Sequence, residues 1–261
     1  AGRYVGSDQL NLVKMSYTGV THIAAYDTKY LVLTNDGTLT MVSGATAVTA
    51  SLAGLTVEQL AVSSQGAYLV RTADGLVYQG STGSAAAPTV VDGLTGVTDI
   101  AAGKTLAAVS GGRVYTWSGL SGEIELVEGL TDVASVHVGD DYVIAVTSSG
   151  LAYGWGVHGK GQLGAGTDTR VGVDYDTTTG ITRIDEPTPV LKGDTFNADA
   201  APELQSVLTL SAAPDRVVMV RADGFVYTWG NNADNVMGAH DVAAGHIAAQ
   251  SVQVGDMEAR T

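Results

Sequence analysis

The stretch best placed to do chemistry is 154–164, GWGVHGKGQLG. Gly154, Gly156 and Gly159 spell the G-x-G-x-x-G of dinucleotide-binding turns, and 154–160 spell all but the last letter of a phosphate-binding loop. Both motifs need a helix directly after the loop, because its N-terminal amides and dipole hold the phosphate. The chain beyond Lys160 is rich in Gly, Thr and Asp and offers no apolar stripe at helical spacing. Each glycine in a helix would cost about 1 kcal/mol relative to alanine. Gly161 stands where a Ser or Thr would reach magnesium. Asp174 lies at the distance of a ribose-binding acid, but without a helix between them that spacing loses its meaning. The expectation is that Gly154, Gly156 and Lys160 bind no nucleotide, and no cofactor is expected.

The other constellations that carry catalysis are missing. There is no G-x-S-x-G elbow and no H-E-x-x-H. His22, His137, His158, His240 and His246 show no metal-ligand spacing. The acidic segments 139–141, 173–176 and 231–235 lack the twelve-residue calcium-loop pattern and read as solvated turns. Asp and Glu are too scattered to name an acid–base pair. The chain reads as no enzyme, with no metal site.

Composition narrows the partners. The 261 residues carry a formal charge of −14, with pI near 4.5, which disfavours nucleic acid and anionic membrane because both need a basic face. Absence of cysteine excludes disulfides and thiolate chemistry. The uncharged stretch 38–57 is long enough to span a bilayer, but its Thr, Ser, Gly and Ala read as strands and turns, so membrane insertion is not expected. With 34 glycines and only 15% charged residues, the chain suits short strands joined by many turns.

The elements that must position any site appear when the chain is aligned on one glycine. LVLTNDGTLTMV (31–42), LVRTADGLVYQG (69–80), AAVSGGRVYTW (107–117), IAVTSSGLAYGW (144–155) and VMVRADGFVYTW (218–229) repeat one pattern. The anchors are Gly37, Gly75, Gly112, Gly150 and Gly224, spaced by 38, 37, 38 and 74 residues. Each unit holds an alternating run, an apolar run, a short turn ending in the anchor, and another strand, which is the signature of linked hairpins. Tyr78, Tyr115, Tyr153 and Tyr227 sit three residues after their anchors. Trp117, Trp155 and Trp229 sit five after, on the same face, as a ladder that packs unit on unit. Four strands in about 37 residues, repeated around an axis, predict an all-β chain folded as a β-propeller. Five blades are clear across a single domain spanning 1–261. A sixth, composite blade from the two termini is expected from the worn repeat GRYVGSDQL and from SVQVG (251–255).

Residues 139–164 resemble the repeat of the regulator-of-chromosome-condensation family almost letter for letter, ending in Trp-Gly-x-x-x-x-Gly-Gln-Leu-Gly. EPTPV (186–190) resembles the Pro-x-x-Val strand that opens the family's next repeat, so the wide gap reads as one repeat with a long loop over 157–190. On this reading the opening glycines turn the chain from one blade to the next. The compact units are also similar to the short-repeat bacterial members of the superfamily, typified by a secreted β-lactamase-inhibitory propeller. The chain departs from the pattern where the family's histidine is replaced by Lys29, Ala67, Thr105, Tyr142 and Arg216, and where Val42 and Gly80 replace tryptophan.

Recognition is expected on the loops between the first and second strands of each unit, which converge on one rim. They carry Tyr26, Asp27 and Lys29; Gln65 and Tyr68; Lys104; Asp140, Asp141 and Tyr142; and Asp215 and Arg216. The frame repeats while these residues differ, and variable loops on a rigid scaffold are where binding usually lives. The resemblance implies a non-enzymatic protein-binding propeller of a bacterial secreted or surface protein. The alternatives are a guanine-nucleotide exchange regulator and a structural component of a particle or fibre.

Overall fold

A computed structural model of the chain describes residues 16–26, 28–165, 174–175, 182–191, 203–231 and 247–258. These residues form five antiparallel sheets and no helix. The first is built from β1 (Val20–Tyr26), β2 (Lys29–Thr34), β3 (Thr38–Ser43) and β4 (Thr46–Ser51). β5 (Val57–Val62), β6 (Ala67–Thr72), β7 (Val77–Ser81) and β8 (Thr89–Val90) make the second. The third contains β9 (Val97–Ala102), β10 (Thr105–Ser110), β11 (Arg113–Ser118) and β12 (Glu125–Leu126). In the fourth, β13 (Val133–Val138), β14 (Tyr142–Thr147) and β15 (Ala152–Val157) are joined by β17 (Thr182–Pro189), with β16 (Asp174–Tyr175) outermost. The last comprises β18 (Val207–Ala212), β19 (Arg216–Arg221), β20 (Phe225–Asn231) and β21 (Ile247–Glu258).

Each anchor glycine sits in the hairpin between a sheet's second and third strands, and two constraints make it glycine. Gly150 has φ 81°, a region open to a residue without Cβ at little cost. A Cβ there would also lie 2.9 Å from the Cα of Ser206, the residue that enters the fifth blade. Gly75 repeats the arrangement two junctions earlier, with a Cβ position 2.9 Å from the Cα of Gly96. The close approach is used: Gly75 O accepts Val97 N at 2.9 Å, Gly112 O accepts Val133 N at 3.0 Å, and Gly150 O accepts Val207 N at 3.1 Å. Each of these anchors therefore clasps the strand that starts the next blade.

The core is four clusters, one between each pair of successive blades. The first two blades share Leu31, Leu39, Met41, Leu60 and Tyr68. The second and third share Leu69, Val77, Ile100, Leu106 and Trp117. Val109, Val114, Val136, Val143 and Trp155 join the third to the fourth. Ile144, Leu163, Leu204, Met219 and Trp229 join the fourth to the fifth. Each tryptophan thus packs against the preceding blade. Trp117 Nε1 donates to Gln79 Oε1 at 3.1 Å, and Trp229 Nε1 to Gln162 O at 2.7 Å.

Where tryptophan is missing, the aromatic has moved to the facing strand. Trp117, Trp155 and Trp229 oppose Leu106, Val143 and Val217 across the sheet, whereas Val42 opposes Tyr30 and Gly80 opposes Tyr68. The Tyr68 ring occupies the space a side chain on Gly80 would need. Val42 and Gly80 are therefore compensated positions rather than plain losses.

Three expectations need correction. The stretch 157–190 is not one loop: 158–165 forms hydrogen-bonded turns, and β17 pairs with β15. EPTPV does not open the next blade, because Thr188 and Pro189 pair with Gly154 and Tyr153 in the fourth sheet. SVQVG lies in β21, where Val252 and Gln253 pair with Thr228 and Tyr227, so it completes the fifth blade instead of starting a composite one. The N-terminal half of that composite, GRYVGSDQL, lies outside the described residues.

Gly150→Ala should destabilise the chain more than Gly54→Ala in paired thermal melts. Both glycines have positive φ, which costs a residue with Cβ about 1–2 kcal/mol, but a Cβ on Gly54 meets nothing within 4 Å. Equal losses would show that the clasp needs no close approach. A second expectation concerns the moved aromatic: Gly80→Trp alone should destabilise, and adding Tyr68→Val should recover most of the loss. A non-interacting pair in that double-mutant cycle would count against the exchange.

Candidate functional site

The rim is built by the loops that join first to second strands, and hydrogen bonds fasten these loops blade to blade. Lys29 Nζ of the first donates to Ser64 O of the second at 2.7 Å. Ser63 Oγ of the second donates to Gly103 O of the third. Lys104 N of the third donates to Asp140 O of the fourth at 2.9 Å, and its Nζ lies 3.0 Å from Asp140 and 3.2 Å from Asp141. Tyr142 Oη of the fourth lies 2.6 Å from Ala213 O and 3.0 Å from Arg216 O of the fifth. Ser64 Oγ also reaches Asp140 Oδ1 at 3.4 Å, joining the second blade to the fourth. Sequence placed these loops on one rim, and the structure brings them together.

The site residues divide by exposure. Gln65 is exposed, and Lys29, Lys104, Asp140, Asp141, Asp215 and Arg216 are partly exposed. Their charges alternate and are internally paired: Lys104 bridges two aspartates, and Arg216 Nε meets Asp215 Oδ1 at 3.0 Å. Asp140 and then Asp141 hold the Lys104 ammonium above its ordinary pKa. Burial pushes Asp215 upward, but bonds from Asn231 and Arg216 outweigh it and leave the carboxyl below the usual range. Asp27 lies outside the described residues, and Tyr26 is half-buried.

Tyr68 and Tyr142 are core residues as well as rim residues. They are 0% and 1% exposed and belong to two of the interface clusters. Tyr142 folds over Gly139, and burial raises its phenol well above 10. The alternating pattern could not show that these rings turn inward.

The opening glycines have structural employment. Gly154 and Gly156 lie inside β15, not in a loop. Gly156, with φ 107°, lets the backbone of the Asp141 loop come close, and Asp141 O accepts Val157 N at 2.8 Å. After the strand, buried His158 accepts Leu163 N on Nδ1 at 3.2 Å, shaping the turn whose Gln162 carbonyl receives Trp229.

Two features escaped the sequence reading. On the inner strands, Gln59 donates to Asp99 Oδ1 at 2.7 Å and also accepts Ile100 N at 3.1 Å, while Asp99 Oδ2 accepts Val136 N at 2.8 Å. Side chains of one blade thus satisfy the free backbone edge of the next, where an unpaired amide would be costly. A polar residue breaking an apolar strand, as in VEQLAV and VTDIAA, was the available signal. The other feature is a groove of about 820 Å3 between the third and fourth blades, lined by Glu123, Glu125, Glu128, Asp185 and Glu186 together with Trp155. Its acids come from segments far apart in sequence. Among the described residues no group of three or more His, Asp or Glu is arranged to hold a metal.

No family model matches the chain. The human E3 ubiquitin-protein ligase HERC2 is 28% identical over 178 residues, covering 60% of this chain and 3% of HERC2, and the mouse protein matches equally. Among solved structures, Prp20p from Saccharomyces cerevisiae superimposes with a TM-score of 0.69 at 13% identity, over 91% of this chain and 66% of that one. Human WBSCR16 gives 0.65 at 17% identity, over 90% of this chain and 67% of its own. A second structure of the yeast protein, there called RCC1 (Prp20) and bound to Kap60, gives 0.66. The chain therefore spans a small fraction of its sequence relatives and less than two thirds of the yeast propeller bound to Kap60, 64% of it. With five antiparallel blades packed in series, three of them carrying Gly-x-x-Tyr-x-Trp, the chain is a β-propeller similar in fold to the yeast RCC1 (Prp20) propeller.

Proposed function

We propose that this chain is a non-enzymatic protein-binding propeller that presents its axial rim to a partner protein, as a module of a bacterial secreted or surface protein. The observation that carries the reading is the run of blade-to-blade hydrogen bonds from Lys29 to Tyr142, which fixes five loops of differing chemistry in one arrangement. A preorganised surface loses little conformational freedom on association, so more of its contact energy appears as affinity. The partners named for the yeast propeller, Gsp1p, histones and Kap60, are proteins, in keeping with a protein partner here. The acidic composition and lack of cysteine agree with an exported protein. No described helix is long and apolar enough to cross a membrane.

Which rim residues bind and which only support can be separated by alanine substitution. Gln65→Ala and Lys104→Ala should change the melting temperature little, since exposed ion pairs contribute about 0–1 kcal/mol. Each should weaken capture of a partner isolated with the wild-type chain and identified by mass spectrometry, by about 2 kcal/mol at an anchor. Tyr142→Ala should instead unfold the chain at lower temperature, because a buried aromatic is worth about 3–5 kcal/mol. Full retention of partner binding in both exposed variants would remove the rim as the binding face.

A further inference from the structure

The groove between the third and fourth blades has a chemistry distinct from that of the rim. Its volume, about 820 Å3, is that of a ligand cleft. The walls carry Glu123, Glu125 and Glu128 from the segment around β12, Asp185 and Glu186 from β17, and Asp141 at the inner end. Six carboxylates less the Arg183 guanidinium leave a formal charge of −5 on this lining. Three of the acids are paired: Asp185 with Arg183 at 2.7 Å, Asp141 with Lys104 at 3.2 Å, and Glu128 with Arg113 at 3.4 Å. Glu123, Glu125 and Glu186 have no ion-pair partner among the described residues.

The same lining includes apolar and aromatic side chains. Trp155 is 8% exposed, Tyr153 and Val127 are half-buried, and Leu126 is 36% exposed. Carboxylates together with a partly open aromatic side chain such as Tyr153 suit a guanidinium or ammonium, held by charge-assisted hydrogen bonds and cation–π attraction. The groove also runs beside a short sheet edge. β12 is only two residues long and pairs with β11 through Tyr115 and Thr116, with one further bond from Val127 N to Val114 O at 2.9 Å, so the outer edge of this sheet is a short one that an extended chain could join.

We propose that this groove binds an extended arginine- or lysine-rich segment of a partner protein. It meets the rim at Asp141 and Tyr142, but the variants below change neither, so its failure and that of the rim reading are separate results. The test uses the whole chain and a fluorescein-labelled peptide of alternating glycine and arginine, titrated by fluorescence anisotropy at about 0.15 M ionic strength, where distant charges are screened. Two triple variants remove the same charge: Glu123→Gln, Glu125→Gln and Glu186→Gln in the groove, and Glu58→Gln, Asp92→Asn and Glu203→Gln outside it. All six acids are exposed, and melting curves for both variants check that the fold survives. The expected result is saturable binding that quenches or shifts tryptophan emission. The groove variant should weaken it about tenfold or more, and the outside variant less than about threefold. Arg183→Gln, which removes the groove's competing cation, should strengthen it. Equal losses in the two triple variants, or no binding to the wild-type chain, would overturn the proposal. Spermine competing as well as the peptide would show a site that senses charge alone and would overturn the peptide assignment.

Discussion

At the junctions after the second, third and fourth blades, an anchor glycine carbonyl accepts the amide that begins the next inner strand. The contact works only because the glycine carries no side chain, since the incoming backbone crowds the position a Cβ would take. The rest of the architecture depends on holding successive sheets at that distance. It brings each tryptophan onto the blade before it, and it lets Gln59 and Asp99 reach the neighbouring backbone. Asp132 and Ser206 take positive φ at two of these entry points, so the junction is enforced even where the entering residue carries a side chain.

The rim depends on the same spacing. Gly103 lies against the Gly139 carbonyl, and Tyr142 spans to the fifth blade because the intervening loops are already in contact. The mixed charges of Lys104, Asp140 and Asp141 then serve two purposes at once. Their paired atoms join blades, while their exposed faces remain available to solvent. The acidic groove owes its shape to the opposite circumstance. The third blade ends in the two-residue β12, whereas the fourth carries the longer β17, and the unequal outer strands leave a gap.

The repeat period, the anchors and the five sheets were legible because turn chemistry and period-two alternation recur at fixed spacing. The outer strands were not. EPTPV and SVQVG alternate as inner strands do, and nothing local tells a strand that finishes one sheet from a strand that starts the next. The described rim loops touch one another in the structure, but the inward turn of Tyr68 and Tyr142 depends on Gly80 and Gly139, whose missing side chains make room for the rings. For Gln59, the sequence marks an odd polar residue in an apolar strand; its partner lies 40 residues away in another blade. Long-range pairings of this kind have no local signature.

The division of the core into four shared clusters makes resistance to unfolding a property of neighbours rather than of the whole. A blade in the middle of the row is held from both sides, while the described clusters hold the first and fifth from one side only. Their inner strands show it, with Ile23 of β1 60% and Leu208 of β18 63% exposed. Amide protons of the third blade should therefore outlast those of the first and fifth in deuterated solvent, and opening should advance inward from the flanks as fraying does in a stacked array.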